Sequence, residues 1–288
     1  MAFGEGRGAS RGTLVGMVSI LLWSGLALLT VRARGIPSFE LMALSFTVAC
    51  LAGLGVLRLR GPAALRELRQ PMAPWLTAFL GLFVYHALYF YAVATVPAVQ
   101  ASLISYLWPL LIVLFAALYA GQRLRMRHVL GALLGLGGTA LVVLGGGAGG
   151  VGAPIGYAAA LGSAVVWAGY SVLNRRYSAT PSGVIVGVCG AVALAGALCH
   201  AMFEPTVIPQ PEQWAAIAAL GLGPVGLAFM AWDHATKHGN LPLLGAISYL
   251  APLFSTLLLV LAGDAAGSWR VVLAAVLVIG GAVIAARR

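Results

Sequence analysis

Charge is scarce in this chain, and negative charge scarcest. Seven Asp and Glu stand beside seventeen Lys and Arg, and the charged types together make up 8% of 288 residues. A soluble domain carries roughly 25% charged residues, because its surface faces water. The shortfall excludes an ordinary soluble fold. With 61% hydrophobic residues and a mean hydropathy of +0.98, most of the outer surface must face lipid.

Cysteine is nearly as rare. Cys50, Cys189 and Cys199 each lie inside an apolar run without metal-ligand spacing, and read as buried thiols. The sequence offers no Cys/His cluster, no nucleotide motif and no nucleophile–base pair at a telling spacing. No metal, cofactor or ATP-driven step is therefore expected, and enzyme chemistry is not. The glycine-rich stretch 145–152 follows a helix rather than a strand and lacks phosphate-loop spacing, so it reads as a linker. A net charge of +10 does not point to nucleic acid. The basic residues form short clusters between long apolar runs, not one helix face or a tail.

The apolar runs are the dominant feature. Runs of roughly 20 residues predict membrane spans over 12–31, 38–57, 74–95, 97–119, 128–145, 154–174, 182–203, 213–236, 240–262 and 269–286. The first is too long for a signal peptide, lacks a small-residue cleavage site before Arg32, and is expected to be retained. With the N-terminus inside, only Arg32, Arg34 and Arg270 of the seventeen basic residues fall outside. The positive-inside rule then places both termini in the cytoplasm.

The two halves of the chain resemble each other at a displacement of 143–144 residues. Ile104-Ser105-Tyr106-Leu107-Trp108-Pro109-Leu110 aligns with Ile247-Ser248-Tyr249-Leu250-Ala251-Pro252-Leu253. Gly12, Ser19, Trp23 and Gly25 align with Gly156, Ser163, Trp167 and Gly169. Leu- and Ala-rich segments match by chance, so the weight rests on Tyr, Trp and Pro. Five spans is an odd number, so the second half must enter the membrane upside down. The expected fold is an all-α membrane protein of ten transmembrane helices in two inverted five-helix repeats, 1–147 and 148–288. Such repeats let one site open to either side by exchanging conformations, which favours transport.

Several residues sit where lipid does not suit them. Trp23, Trp108 and Trp167 lie near mid-membrane, and Tyr85, Tyr89, Tyr106 and Tyr249 lie more than a turn inside their spans. Helix–helix packing accounts for some. So many polar-tipped rings at depth also read as the wall of a pocket. Tyr85 and Tyr89 share a helix face beside His86. Pro109 and Pro252 are candidate hinges, expected to release the carbonyls of Ser105 and Ser248. Asp233, followed by His234 and Lys237, is a candidate site for a proton or an ammonium group, with snorkelling to the cytoplasm as the alternative. Gly131-x-x-x-Gly135 and Gly183-x-x-x-Gly187 predict close internal helix contacts.

Ten spans in two inverted halves, Trp23-Ser24-Gly25, the turn near Pro97 and the repeated Ser-Tyr-Leu-x-Pro resemble the drug/metabolite transporter superfamily in its EamA-type branch. His86 between Tyr85 and Tyr89, and Trp232-Asp233-His234, are most similar to the YddG-type exporters of aromatic amino acids. The resemblance implies a cavity lined by spans 1, 3, 4, 6, 8 and 9. It gathers Trp23, Tyr85, His86, Tyr89, Tyr106, Trp108, Trp167, Tyr170, Trp232 and Tyr249 as candidate substrate contacts. The expectation is a bacterial inner-membrane exporter of small amphipathic metabolites, most of all aromatic amino acids, working as a monomer by alternating access. Its partners are the solute and the bilayer. The alternatives are a multidrug or general metabolite exporter of the same fold and, further off, a membrane enzyme acting on a lipid-linked substrate.

Overall fold

The structure, a computed structural model, describes residues 2–119, 125–144, 153–263 and 269–287. The linker expected at 145–152, the boundary between the halves at 147/148, and the inner-side Arg123 and Arg288 lie outside them. Among the described residues all regular secondary structure is helical, and nine helices are long and apolar enough to cross a membrane. They are the first span Ser10–Arg32, second Ser38–Leu59, third Met72–Thr95, fourth Gln100–Tyr119, sixth Pro154–Tyr177, seventh Val184–Phe203, eighth Pro211–His238, ninth Leu241–Leu261 and tenth Trp269–Ala286. The helix Met126–Leu144 supplies the fifth. The chain is a multi-pass membrane protein. Leu14, Leu51, Leu118, Leu194, Leu261 and Val272 are exposed, as lipid-facing side chains must be.

The helices pair symmetrically. The first packs on the eighth and the third on the sixth; the first also meets the ninth, and the fourth the sixth. The second pairs with the seventh, the fourth with the ninth and the fifth with the tenth. Exchanging the halves turns each of these pairings into itself or into another of the set, the signature of an isologous contact. Repeat mates run in opposite directions. Arg175, at the end of the sixth span, donates to Gly239 O, and Asn240 N donates to Thr13 Oγ1 at the start of the first. One end of the bundle therefore carries Thr13, Arg58, Arg60, Arg66, Arg69, Arg175, Arg176 and Lys237, and is called the basic end here. Arg32, Arg34 and Arg270 belong to the opposite end.

Glycines let the halves approach. A Cβ on Gly12 would lie 2.6 Å from Gly239 N, and one on its mate Gly156 would strike Thr95 and Val96. The fifth and tenth spans touch through Gly131 and Gly281, where a Cβ on either would lie 2.6 Å from the other's carbonyl oxygen. Gly187 packs under the Trp75 ring, so the Gly183 motif makes an internal contact. Gly61, at φ +98, turns the chain from the second span into the short interfacial helix Pro62–Leu65.

Two interruptions follow from the prolines. The fourth span is helical over Ala98–Ser105, breaks at Tyr106 and Leu107, and resumes over Trp108–Tyr119. The ninth breaks likewise between Leu241–Ile247 and Leu250–Leu261. The carbonyl of Ser248 is not released, however. Ala251 N donates to it at 3.0 Å, because the chain tightens into an i→i+3 turn ahead of Pro252. The eighth span holds a feature the sequence did not announce, a π-helical turn over Gly221–Leu227 around Pro224.

The glycine contacts predict a paired outcome. Gly281→Val should lower thermal stability in detergent by about 1–3 kcal/mol through overpacking against Gly131. Gly280→Val, where nothing lies within 4 Å of the new Cβ, should leave the melting temperature unchanged. Equal melting temperatures for the two variants would contradict this packing.

Candidate functional site

Four tryptophans meet at the centre. Trp23 of the first span, Trp108 of the fourth, Trp167 of the sixth and Trp232 of the eighth form six ring pairs. All have centroids between 5.1 and 6.3 Å apart. Each aromatic pair contributes about 0.5–1.5 kcal/mol beyond the area it buries. Trp232 is fully buried and Trp167 nearly so, while Trp23 stays partly exposed.

Trp23 owes its orientation to the π-turn. Pro224 has no N–H, and the wider turn shifts the ladder so that Ala228 N donates to Gly223 O. That leaves Pro224 O for Trp23 Nε1, which donates to it at 3.0 Å. One turn earlier on the first span, Ser19 Oγ donates to Ala228 O at 2.8 Å. Trp232 Nε1 is satisfied by Ser171 Oγ at 3.0 Å. The indole donors of Trp23 and Trp232 are thus bonded within the protein, and these two rings present their faces to the cluster.

A second group of rings extends toward the opposite end. Tyr85 leans on Trp167 at 5.2 Å and stacks on Tyr89 at 6.2 Å with 6° between the planes. His86 lies among Phe46, Phe90 and Phe229. Its Nδ1 sits 2.6 Å from Leu82 O. A carbonyl only accepts, so Nδ1 carries the hydrogen and Nε2 of the neutral ring is an acceptor. Tyr89 Oη and Ser102 Oγ are 3.0 Å apart, as are Ser105 Oγ and Ser163 Oγ. Tyr85, His86, Tyr89, Phe90 and Tyr106 are all partly exposed, whereas Tyr170, Ser171, Trp232 and Asp233 are buried. Accessibility therefore falls from the opposite end toward the basic end.

Of the ten ring residues singled out from the sequence, Trp23, Tyr85, His86, Tyr89, Trp108, Trp167, Tyr170 and Trp232 join one contact network. Tyr170 packs on Trp167 and against Gly81, toward the basic end. Tyr106 sits in the break of the fourth span. Tyr249 is fully buried elsewhere, among Val113, Ala132 and Val278, and its hydroxyl donates to Tyr106 O at 2.9 Å. Pro109 also lies at a contact between the two breaks, its carbonyl 2.6 Å from where a Cβ on Gly245 would stand. Pro252 is buried at the start of its helix segment. Asp233 does not join the rings; its carboxylate receives Lys237 Nζ at 2.7 Å and Asn174 Nδ2 at 3.0 Å. Sequence reasoning missed Phe46, Phe90, Phe229, Ser102 and Ser163. The available signal was the repeat: Phe229 is the mate of His86 at a displacement of 143, and Trp232 that of Tyr89.

Comparisons with known proteins bear on the family and the fold. The profile of the EamA-like transporter family matches twice, over residues 10–144 and 154–287. The aromatic amino acid exporter YddG of Ancylobacter novellus is 50% identical over 280 residues, covering 96% of this chain and 97% of that protein. The protein of the same name from Salmonella typhimurium is 29% identical, covering 87% and 88%. A crystal structure 47% identical, covering 96% of each chain, superposes with a TM-score of 0.91.

Rings this close are electronically coupled. Trp23→Phe should reduce the near-ultraviolet circular dichroism by far more than the one-seventh share of an independent ring among seven tryptophans. A loss of about one-seventh would show that the four indoles do not meet.

Proposed function

The chain belongs to the EamA-like transporter family, and on that premise we propose that it exports aromatic amino acids from the cytoplasm by alternating access. The observation that carries this reading is the tryptophan quartet at the junction of the halves, with Trp23 of one repeat 5.7 Å from Trp167 of the other. A solute held there touches both halves and feels any movement between them. Indole and phenol faces suit a flat aromatic side chain, by offset or edge-to-face stacking. The same faces attract an ammonium group, worth about 0.5–2 kcal/mol, and His86 Nε2 is an acceptor for it. The partly exposed Tyr89 and Ser102 hydroxyls lie 3.0 Å apart, and the hydrogen that their mutual bond does not use is a donor for the carboxylate.

The fall in accessibility supports a state open at the opposite end and shut at the basic end. Positive residues mark the cytoplasmic side, so the basic end faces the cytoplasm, both termini lie there, and the site faces the outside of a bacterial inner membrane. The two repeats supply both moving parts, so one chain suffices. Movement of a solute requires no chemical step, and the chain is read as a carrier rather than an enzyme.

Proteoliposomes loaded with labelled tryptophan, phenylalanine or tyrosine test the reading. Efflux well above that of protein-free vesicles is expected. Trp167→Ala, which removes the ring common to Tyr85, Trp23 and Trp232, should lower it at least about tenfold, the loss of one or more ring contacts. Intact efflux of lipophilic drugs with none of the three amino acids would overturn the substrate class in favour of a multidrug exporter.

A further inference from the structure

The basic end is held shut by polar groups that the ring site does not use. Asp233 and Lys237 stand one helical turn apart on the eighth span, and both side chains are 1% exposed. Lys237 Nζ donates to Asp233 Oδ2 at 2.7 Å and to the carbonyl of Thr180, beyond the sixth span, at 3.0 Å. Asn174 Nδ2, at the end of the sixth span, reaches Asp233 Oδ1 at 3.0 Å and Thr236 Oγ1 at 2.9 Å. Arg175 donates to Gly239 O at 2.6 Å. Asn174 ties the sixth span to the eighth directly, Lys237 ties the eighth to the loop that follows the sixth, and Arg175 ties the sixth to the turn that follows the eighth.

That pairing matters because the first and eighth spans form one packed unit and the third and sixth another. A bond between the sixth and eighth crosses from one unit to the other. The repeat mates of these residues are of other types. The mates of Asp233 and Lys237 at a displacement of 143 are Phe90 and Ala94; those of Asn174 and Thr180 at 144 are Thr30 and Ile36. Thr30 Oγ1 bonds within its own helix, to Leu26 O. The repeat mates of these four residues therefore cannot form the same bonds at the opposite end.

A buried ion pair is a poor stabiliser, since taking both charges out of water offsets much of their attraction; its best-attested use is to specify one arrangement over another. We propose that Asp233, Lys237, Asn174 and Thr180 form a cytoplasmic latch, positioning groups that close the inner end in the outward-open state and must part for the inner end to open. When the sixth and eighth spans separate, water replaces Asn174 on the carboxylate and Thr180 on the ammonium. The i,i+4 ion pair itself stays on one helix, so it can reform the same contacts. The proposal rests on the exporter reading for its sense of direction, but the latch is a mechanical claim separable from the cargo.

The test uses the full chain with Cys50, Cys189 and Cys199 replaced by serine or alanine and Ser171→Cys as reporter. Ser171 is fully buried between the sixth and eighth spans. A membrane-impermeant maleimide applied to inside-out vesicles reads its access from the cytoplasm. Asn174→Ala, which removes the bridge without orphaning a charge outright, should raise the labelling rate about tenfold, the effect of losing a hydrogen bond to a charged group. It should not raise labelling in right-side-out vesicles. The double variant Asp233→Leu/Lys237→Met, which leaves no unpaired charge, guards against misfolding and should speed cytoplasmic access by a similar factor. Labelling at the parental rate in both variants, each monodisperse in detergent, would overturn the latch. If the parent carries no aromatic amino acid but labelling still shifts, the cargo assignment fails and the latch stands. If efflux is intact and labelling does not shift, the latch fails alone.

Discussion

The contact between Trp23 and Trp167 organises the rest of the molecule. The two are repeat mates, and they touch. So do His86 and Phe229, at 6.1 Å, and Tyr106 and Tyr249, through a hydrogen bond. A residue can meet its own mate only on the axis that exchanges the halves. These three contacts therefore trace that axis through the centre of the bundle. Everything placed there belongs equally to both repeats, and a shift of one half against the other changes its surroundings first.

The mates on the axis are not chemically identical, and the differences divide the work. Tryptophan faces tryptophan at the quartet, where shape is needed from both sides. Histidine faces phenylalanine one layer further out, so a single acceptor, Nε2, is set in an apolar wall. Trp232 is fully buried while its mate Tyr89 is partly exposed beside Ser102. The helices pair symmetrically, but mates such as Tyr89 and Trp232 differ in exposure.

Much of this was legible in the sequence because membrane folds expose their logic in one dimension. Lipid demands apolar runs of fixed length, so the spans fall within a few residues of where hydropathy puts them. The repeat was visible because Tyr, Trp and Pro recur too rarely to align by chance. What stayed hidden needed the third dimension. Phe46 and Phe229 look like any lipid-facing phenylalanine until a neighbouring helix covers them. The π-turn around Pro224 has no announcement in the sequence, and the indole of Trp23 takes the carbonyl it frees. Tyr249 shares its motif with Tyr106, yet it turns toward the fifth span, where Gly135 leaves room for the ring. Asp233 reads as a candidate proton or ammonium site; its ion pair with Lys237 one turn on and its bond from Asn174, 59 residues away, emerge only in the fold.

The proposed transport cycle requires the unit made of the first and eighth spans to move against the unit made of the third and sixth, about the axis the tryptophans mark. Spin labels at Thr30 and Ala94 report on the opposite end, and labels at Ser178 and His238 on the basic end; all four positions are exposed. In lipid, adding tryptophan should shorten the first distance and lengthen the second within one population of molecules. Two distances that stay fixed, or that change in the same sense, would contradict that cycle.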